Sequence, residues 1–144
     1  MDGINNNYTR AFTITIVNKS IILSEKDKEE LAKYAEAEKP YESCAILVGN
    51  ETDENWTVKE IVLTENTTKS EVMFTISPDK EFEVDQNAKK SNMEIVCIFH
   101  SHPESEAQPS ETDKKFMRVN PFPWIIYSGK TKEMNCFILQ DENV

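Results

Sequence analysis

Residues 94–103 read EIVCIFHSHP, and this stretch decides how the rest of the chain is interpreted. Residues 95–99 are uniformly apolar, which predicts a central strand covered on both faces. The strand leads directly into His100-Ser101-His102, which contains the only two histidines of the chain. Side chains two residues apart on an extended backbone point the same way, with Cα atoms about 6.6 Å apart. Two imidazoles at the end of this strand can therefore converge on one metal ion.

A carboxylate for the same ion follows in the segment 109–113, PSETD. Ser110 is a predicted N-cap, so Asp113 lies on the first turn of a helix that the preceding loop can return toward the strand end. Taken singly, Ser110 and Asp113 could be only a cap and a dipole-compensating acid. Together with the paired histidines, they favour a catalytic zinc site, in which His100, His102 and Asp113 are the three protein ligands and the fourth position is left for water.

The remaining apolar patterns predict helices set between strands. This mixed order indicates an α/β or α+β sandwich with a largely central sheet. A chain of 144 residues is expected to form one domain, 1–144, with an ordered core over about 11–140. The predicted strands are 12–16, 21–23, 44–48, 56–63, 94–99, 124–127 and 134–139, with further alternation at Val72, Phe74 and Ile76, and the predicted helices are 24–37, 79–90 and 110–120.

The charge balance excludes one class of partner. With 16 basic and 26 acidic side chains, the net charge of −10 would repel nucleic acid. The three cysteines, Cys44, Cys97 and Cys136, lie in apolar runs without a Cys-x-x-Cys spacing, so we expect buried, reduced thiols.

The chain shows no membrane or export signal in its sequence pattern. No segment approaches the roughly 18 apolar residues of a membrane span, and the amino terminus lacks the basic and apolar regions of a signal peptide. We therefore expect a cytoplasmic protein. In that location the sequons at Asn7, Asn55 and Asn66 carry no information, since glycosylation requires the secretory route.

At these residues the chain resembles the JAMM (MPN+) family of zinc metalloproteases. The family motif is His-Ser/Thr-His-Pro, seven residues counted from that Pro, and then Ser-x-x-Asp, with a Glu well upstream. Residues 100–103 and 110–113 match it without adjustment, and residues 40–49, PYESCAILVG, resemble the Glu-bearing segment, with Glu42 as the matching acid. The resemblance covers about 24–139, with Ala45 where relatives often have Gly. The metalloprotease motif His-Glu-x-x-His and the zinc-deaminase pattern are absent.

The resemblance implies an MPN-like fold, a central mixed β-sheet flanked by helices in a cytidine-deaminase-like sandwich. It also implies one Zn²⁺ with a bound water, Glu42 as the general base that later protonates the leaving amine, and Ser110 as a hydrogen-bond donor to the developing oxyanion. Ser101 lies between the ligands with its side chain on the opposite face. We therefore expect it to make no more than a structural hydrogen bond or one that supports the site from behind the ligands.

The implied substrate is a protein with an extended carboxyl-terminal tail. Family members hydrolyse amide or isopeptide bonds after the tails of ubiquitin-like or small sulfur-carrier proteins, and pairing with a strand edge would hold such a tail. The compact length favours a prokaryote-type desampylase or carrier-protein protease over a dedicated eukaryotic deubiquitinase. Two alternatives stay open, namely a non-catalytic MPN scaffold and a metal-dependent hydrolase or isomerase of a small molecule. The sequence leaves open the modifier, isopeptide versus linear cleavage, the oligomeric state and any activating partner.

Overall fold

The computed structural model describes residues 12–16 and 19–139, which form one mixed sheet and three helices. The seven strands of these residues lie in the order β1-β2-β4-β3-β5-β6-β7. The pairs β2/β4 and β5/β6 are parallel and the other neighbours are antiparallel, which confirms the predicted mixed α/β architecture. In chain order the elements are β1 Phe12–Ile16, β2 Lys19–Leu23, α1 Glu25–Glu38, β3 Cys44–Glu51, β4 Asn55–Thr64, α2 Pro78–Lys90, β5 Glu94–His102, α3 Glu111–Val119, β6 Trp124–Ser128 and β7 Met134–Phe137.

Strand β5 is covered on both faces, as its apolar run predicts. On one face, Phe99 belongs to a cluster with Leu31 of α1. On the other face, Ile98 belongs to a cluster with Val84 of α2 and Met117 of α3. The two histidines continue this second face, because side chains alternate along a strand. The fold therefore delivers both imidazoles to the side of the sheet that carries α2 and α3.

Each helix begins at a serine that caps it. The side-chain oxygens of Ser24 and Ser77 accept hydrogen bonds from backbone N–H groups of the first turn, at 3.0 Å and 3.2 Å. Pro78 follows as the first residue of α2, where its missing N–H has no cost. Within residues 12–16 and 19–139, no helix is both long enough and apolar enough to cross a membrane.

The alternation at Val72, Phe74 and Ile76 does not belong to a strand. Residues 65–77 form a loop between β4 and α2, and Val72 is 77% exposed. The Asn66 side chain accepts a hydrogen bond from Thr75 N–H at 3.0 Å. A side chain therefore satisfies the backbone donor that a neighbouring strand would satisfy in a sheet. Period-2 patterning alone could not distinguish these two ways of satisfying the backbone.

Candidate metal centre

His100 and His102 lie side by side at the carboxyl end of β5. They are 0% and 5% exposed, and their Nε2 atoms are 3.2 Å apart. The strand is paired on both sides here, since His100 lies opposite Cys44 of β3 and His102 lies opposite Ser128 of β6. The histidine pair is therefore part of the strand ladder, beyond the predicted strand end at residue 99.

The loop that follows holds the His102 ring in one orientation. His102 Nδ1 lies 2.8 Å from the Glu106 carbonyl oxygen, to which it can only donate. The loop is itself tied to β6, because Ser128 Oγ donates to the Ser105 carbonyl at 2.7 Å. A proton on Nδ1 leaves the lone pair of Nε2 available to a metal ion.

Aromatic side chains enclose the His100 ring. Phe74 stacks on it with ring centroids 4.7 Å apart and an angle of 23°, and Trp124 meets its edge at 5.7 Å. The buried Nδ1 atom of His100 has no hydrogen-bond partner among the described residues. Burial lowers the pKa of His100, so the ring favours the neutral form that a metal ion requires.

Asp113 reaches both imidazoles from the first turn of α3. Its Oδ2 atom lies 3.2 Å from His100 Nε2 and 3.1 Å from His102 Nε2. A capping box fixes this position, because Ser110 N–H donates to Asp113 Oδ2 at 2.8 Å and Asp113 N–H donates to Ser110 Oγ at 3.0 Å. Although burial alone would raise the pKa of Asp113, the hydrogen bonds to both histidines hold it well below its usual range.

These three atoms fit the ligand shell of a divalent cation. The two Nε2 atoms and Asp113 Oδ2 form a triangle with sides of 3.1–3.2 Å. Ligand atoms held tetrahedrally about 2.0–2.1 Å from an ion would lie about 3.3–3.4 Å apart. Two imidazoles and one carboxylate are also the donor set of a catalytic site that keeps one position open.

Glu42 lies beside this triangle, just before β3. It is 3% exposed, and its Oε1 atom is buried without a hydrogen-bond partner in the described part of the chain. One carboxylate oxygen of Glu42 and one ring nitrogen each of His100 and His102 lie within 4.8 Å of one another, so these residues too could hold a metal. Asp113 fits as the third ligand at least as well, because its 3.1–3.2 Å contacts with both imidazoles are close to the edge length of a tetrahedral shell.

The environment of Glu42 favours the neutral carboxyl. Burial raises its pKa to about 8, a shift that His102 opposes and Asp113 increases. A cation on the neighbouring ligand atoms would favour the charged form and lower this pKa. The protonation state of Glu42 is therefore coupled to the occupancy of the triangle.

Ser101 supports Glu42 from the opposite face of β5. Its Oγ atom accepts from Ser43 N–H at 2.8 Å and from Ser43 Oγ at 2.9 Å. Because Ser43 follows Glu42 directly, these bonds restrain the backbone that carries the carboxylate. Ser101 thus makes the kind of supporting hydrogen bond that was expected from its place between the two histidines.

The structure thus brings together all five site residues selected from the sequence: Glu42, His100, His102, Ser110 and Asp113. A sixth residue, Asn66, contacts the site, although the sequence indicated it only as a sequon. Its Nδ2 donates to the Glu42 carbonyl at 3.0 Å. The contact joins residues 24 apart in the chain, and no local pattern signals it.

Comparisons with known proteins agree with the fold and identify the family. The family model described as "Prokaryotic homologs of the JAB domain" matches residues 24–140. The chain belongs to this family. The resemblance that residues 100–103 and 110–113 carry is therefore confirmed at the level of the family.

Individual relatives of this JAB-domain protein cover most of its length. It is 31% identical over 102 residues to "Desampylase" of Pyrococcus furiosus. The matched stretch covers 71% of this chain and 69% of the desampylase. It is 29% identical over 106 residues to "Tail tip assembly protein K" of Escherichia phage N15, where the match spans 74% of this chain but only 40% of the phage protein. The solution structure of a Desulfitobacterium hafniense protein superimposes with a TM-score of 0.72 at 24% identity, covering 83% of this chain and 84% of the other, and shows the fold alone.

Proposed function

We propose that this JAB-domain protein is a zinc-dependent isopeptidase that hydrolyses the amide or isopeptide bond after the extended tail of a ubiquitin-like or small sulfur-carrier protein. The observation that carries the proposal is the 3.1–3.2 Å triangle of two imidazole nitrogens and one carboxylate oxygen. Beside it lies Glu42, whose Oε1 has no hydrogen-bond partner among the described residues. The 31% identity to a protein named desampylase supports a hydrolase that acts on such modifiers.

His100, His102 and Asp113 would hold the ion. We assign zinc because imidazole nitrogen with a carboxylate oxygen, at tetrahedral spacing, suits this metal. When bound, the ion would lower the pKa of a water molecule toward about 7 and polarise the scissile carbonyl.

Glu42 moves the proton in this mechanism. Its buried Oε1 is not engaged by another described hydrogen-bond donor, so it can accept the proton of the attacking water. The same carboxyl then donates that proton to the nitrogen of the leaving amine as the carbon–nitrogen bond breaks. A positioned acid-base group of this kind contributes typically about 10²- to 10⁴-fold.

Ser110 has a hydroxyl proton left for the substrate. Its Oγ accepts the Asp113 N–H, which uses a lone pair and leaves the O–H free to donate. We assign that proton to the oxygen of the scissile carbonyl, on which negative charge develops. The helix cap would thus keep the hydroxyl in place before the substrate arrives.

A groove beside the site offers a path for the tail. It has a volume of about 200 Å³ and is lined in part by Phe74, Ile76, Ile98, Phe116 and Trp124. Phe74 and Trp124, which contact the His100 ring, form the wall that the groove shares with the candidate metal centre. An extended peptide with apolar side chains fits such a surface.

The direct test is a panel of ubiquitin-like and sulfur-carrier fusions, incubated with the protein and followed by intact mass. We expect one cut directly after the tail, abolished by a chelator and restored by Zn²⁺. Small esters and amides form a second arm, and turnover of these alone would replace the protease by a small-molecule hydrolase. Tight fusion binding without a cut, in zinc-loaded protein, would indicate a scaffold instead.

A further inference from the structure

The side chain of Asn66 uses its whole hydrogen-bonding capacity inside the protein. It is 7% exposed. Its Nδ2 donates to the carbonyl oxygens of Glu42 and Met73, both at 3.0 Å. Its Oδ1 accepts from Thr75 N–H at 3.0 Å, from Thr68 N–H at 3.1 Å and from Thr68 Oγ1 at 2.7 Å. Because three donors face Oδ1 and two carbonyl oxygens face Nδ2, turning the amide by 180° would place donors against donors and acceptors against acceptors.

Glu42 depends on the loop 65–77, which contains Asn66, for its main-chain hydrogen bonds. It precedes β3, which begins at Cys44, so Glu42 lies outside the strand ladder. Its N–H donates to the Ser70 carbonyl at 2.8 Å, and its carbonyl accepts from Asn66. Both backbone groups of Glu42 are thus bound to the loop 65–77.

The same amide also restrains the ring that packs on a metal ligand. Its bonds to Met73 and Thr75 bracket Phe74, whose ring stacks on His100 at 4.7 Å. One side chain therefore connects the backbone of Glu42 with the packing of the His100 ring. These groups come from three separate segments of the chain. Ser101 ties the segment of Glu42 to β5 through Ser43, and the Asn66 amide ties the same segment to the loop that carries Phe74.

We propose that Asn66 is a positioning residue of this site. Its bonds to the Glu42 carbonyl and to the two residues flanking Phe74 hold the Glu42 carboxylate at a set distance from the histidine pair. Its effect on turnover rests on the proposed function, whereas its effect on the loop does not. A displacement of about 1 Å at a reacting group can cost about 10²-fold in rate, which sets the scale of the expected effect.

Asn66→Asp tests the proposal, because it keeps the shape and the acceptor oxygen but replaces both donors by an oxygen facing two carbonyls. The matched control is Asn50→Asp, which makes the same chemical change at a side chain that donates at 2.9 Å to the Asn92 carbonyl, outside the site. In the metal-free proteins we expect amide hydrogen exchange at Glu42 and Thr75 to become at least about 10-fold faster in Asn66→Asp, with the amides of β5 unchanged. Asn50→Asp should leave both amides as they are in the wild type.

With zinc and a cleaved fusion, kcat of Asn66→Asp should fall about 10- to 100-fold, with KM within about twofold and zinc stoichiometry unchanged. Unchanged exchange at Glu42 and Thr75 would overturn the proposal even if the enzyme is active, and so would a fall in kcat that merely follows zinc loss. A wild type inactive on every fusion would defeat the proposed function and leave the exchange test in force. If Asn66→Asp does not fold, native-state exchange of the wild type decides, since the two amides should open with equal free energies and unequal values would contradict one shared clamp.

Discussion

Glu36 and Glu42 lie six residues apart in the chain and have opposite environments. Glu36, on the last turn of α1, accepts hydrogen bonds from Tyr127 Oη at 2.6 Å and Lys132 Nζ at 2.8 Å, and pairs with Lys39 at 2.9 Å. These partners, Lys132 first, lower its pKa to about 2. Glu42 is buried, its Oε1 has no partner among the described residues, and its pKa is raised to about 8.

The two environments have opposite effects on stability, since Glu36 is stabilised by its partners and Glu42 is destabilised by burial. An exposed ion network forms at small cost and contributes little, because solvent screens it. A buried carboxyl without a partner disfavours folding, since its lost hydration is not replaced. Such a group next to a candidate metal centre is best explained by chemistry, as strongly perturbed carboxyls concentrate at functional sites.

Exchanging each carboxylate for an amide provides the sharpest test of this comparison. Glu42→Gln should reduce kcat by about 10²- to 10⁴-fold, because the amide cannot take the proton, with zinc content and unfolding temperature close to wild type. Glu36→Gln, the matched control, should leave kcat within about twofold. Turnover and calorimetry measure both, and a Glu42→Gln variant that unfolds much earlier at full activity would assign Glu42 to the fold.

The assignment of Asp113 as a metal ligand can be tested by substitution on the first turn of α3. Asp113→Ala should weaken zinc binding by more than the roughly 10- to 100-fold that follows loss of a ligand's own hydrogen-bond partner, because a ligand itself is removed. Glu111→Ala, in the same turn but on an exposed side chain paired with Lys114, is the control. Zinc titration with a competing chelator gives the affinities, and equal values for both variants would remove Asp113 from the ligand set.

Ser110 caps α3 and has a proposed catalytic role. Comparison with Ser77, which only caps α2, distinguishes the effect on stability from the effect on turnover. Ser110→Ala and Ser77→Ala should each lower the free energy of unfolding by about 1 kcal/mol through a lost N-cap. Ser110→Ala alone should also lower kcat, by about 10²-fold, while it retains zinc. Denaturant unfolding and turnover assays measure the two effects, and equal kcat values would leave Ser110 with capping only.

The smallest effect is the pH dependence that Glu36 contributes to stability. Its pKa in the folded protein, about 2, is below its ordinary value of 4.5, so its stabilisation is present above about pH 4.5 and is lost as the pH falls toward 2. The difference in free energy of unfolding between wild type and Glu36→Gln should therefore shrink between about pH 6 and pH 3. Urea unfolding across that range measures it, and a difference that grows on acidification would contradict the assignment.

Much of the fold could be predicted from local patterns. The run before His100 predicted a strand buried on both faces, and Ser24, Ser77 and Ser110 each cap a helix as expected from their positions. The alternation at residues 72–76 was misleading, because the Asn66 side chain replaces the partner strand there. Strand order was beyond local reasoning, since β4 lies between β2 and β3 in the sheet.

The sequence by itself determined the pairing of His100 with His102 on one face and the cap that sets Asp113 on its helix, because strand and helix periodicities are properties of neighbouring residues. Tertiary structure alone decided that Glu42 is buried, with no hydrogen-bond partner for its Oε1 in the described part of the chain, and that Asn66 donates to its carbonyl. Those contacts join residues 24 or more apart, from Asn66 to Glu42 and from Ser101 to Ser43. They exist only once the sheet has assembled and water has been excluded from the site.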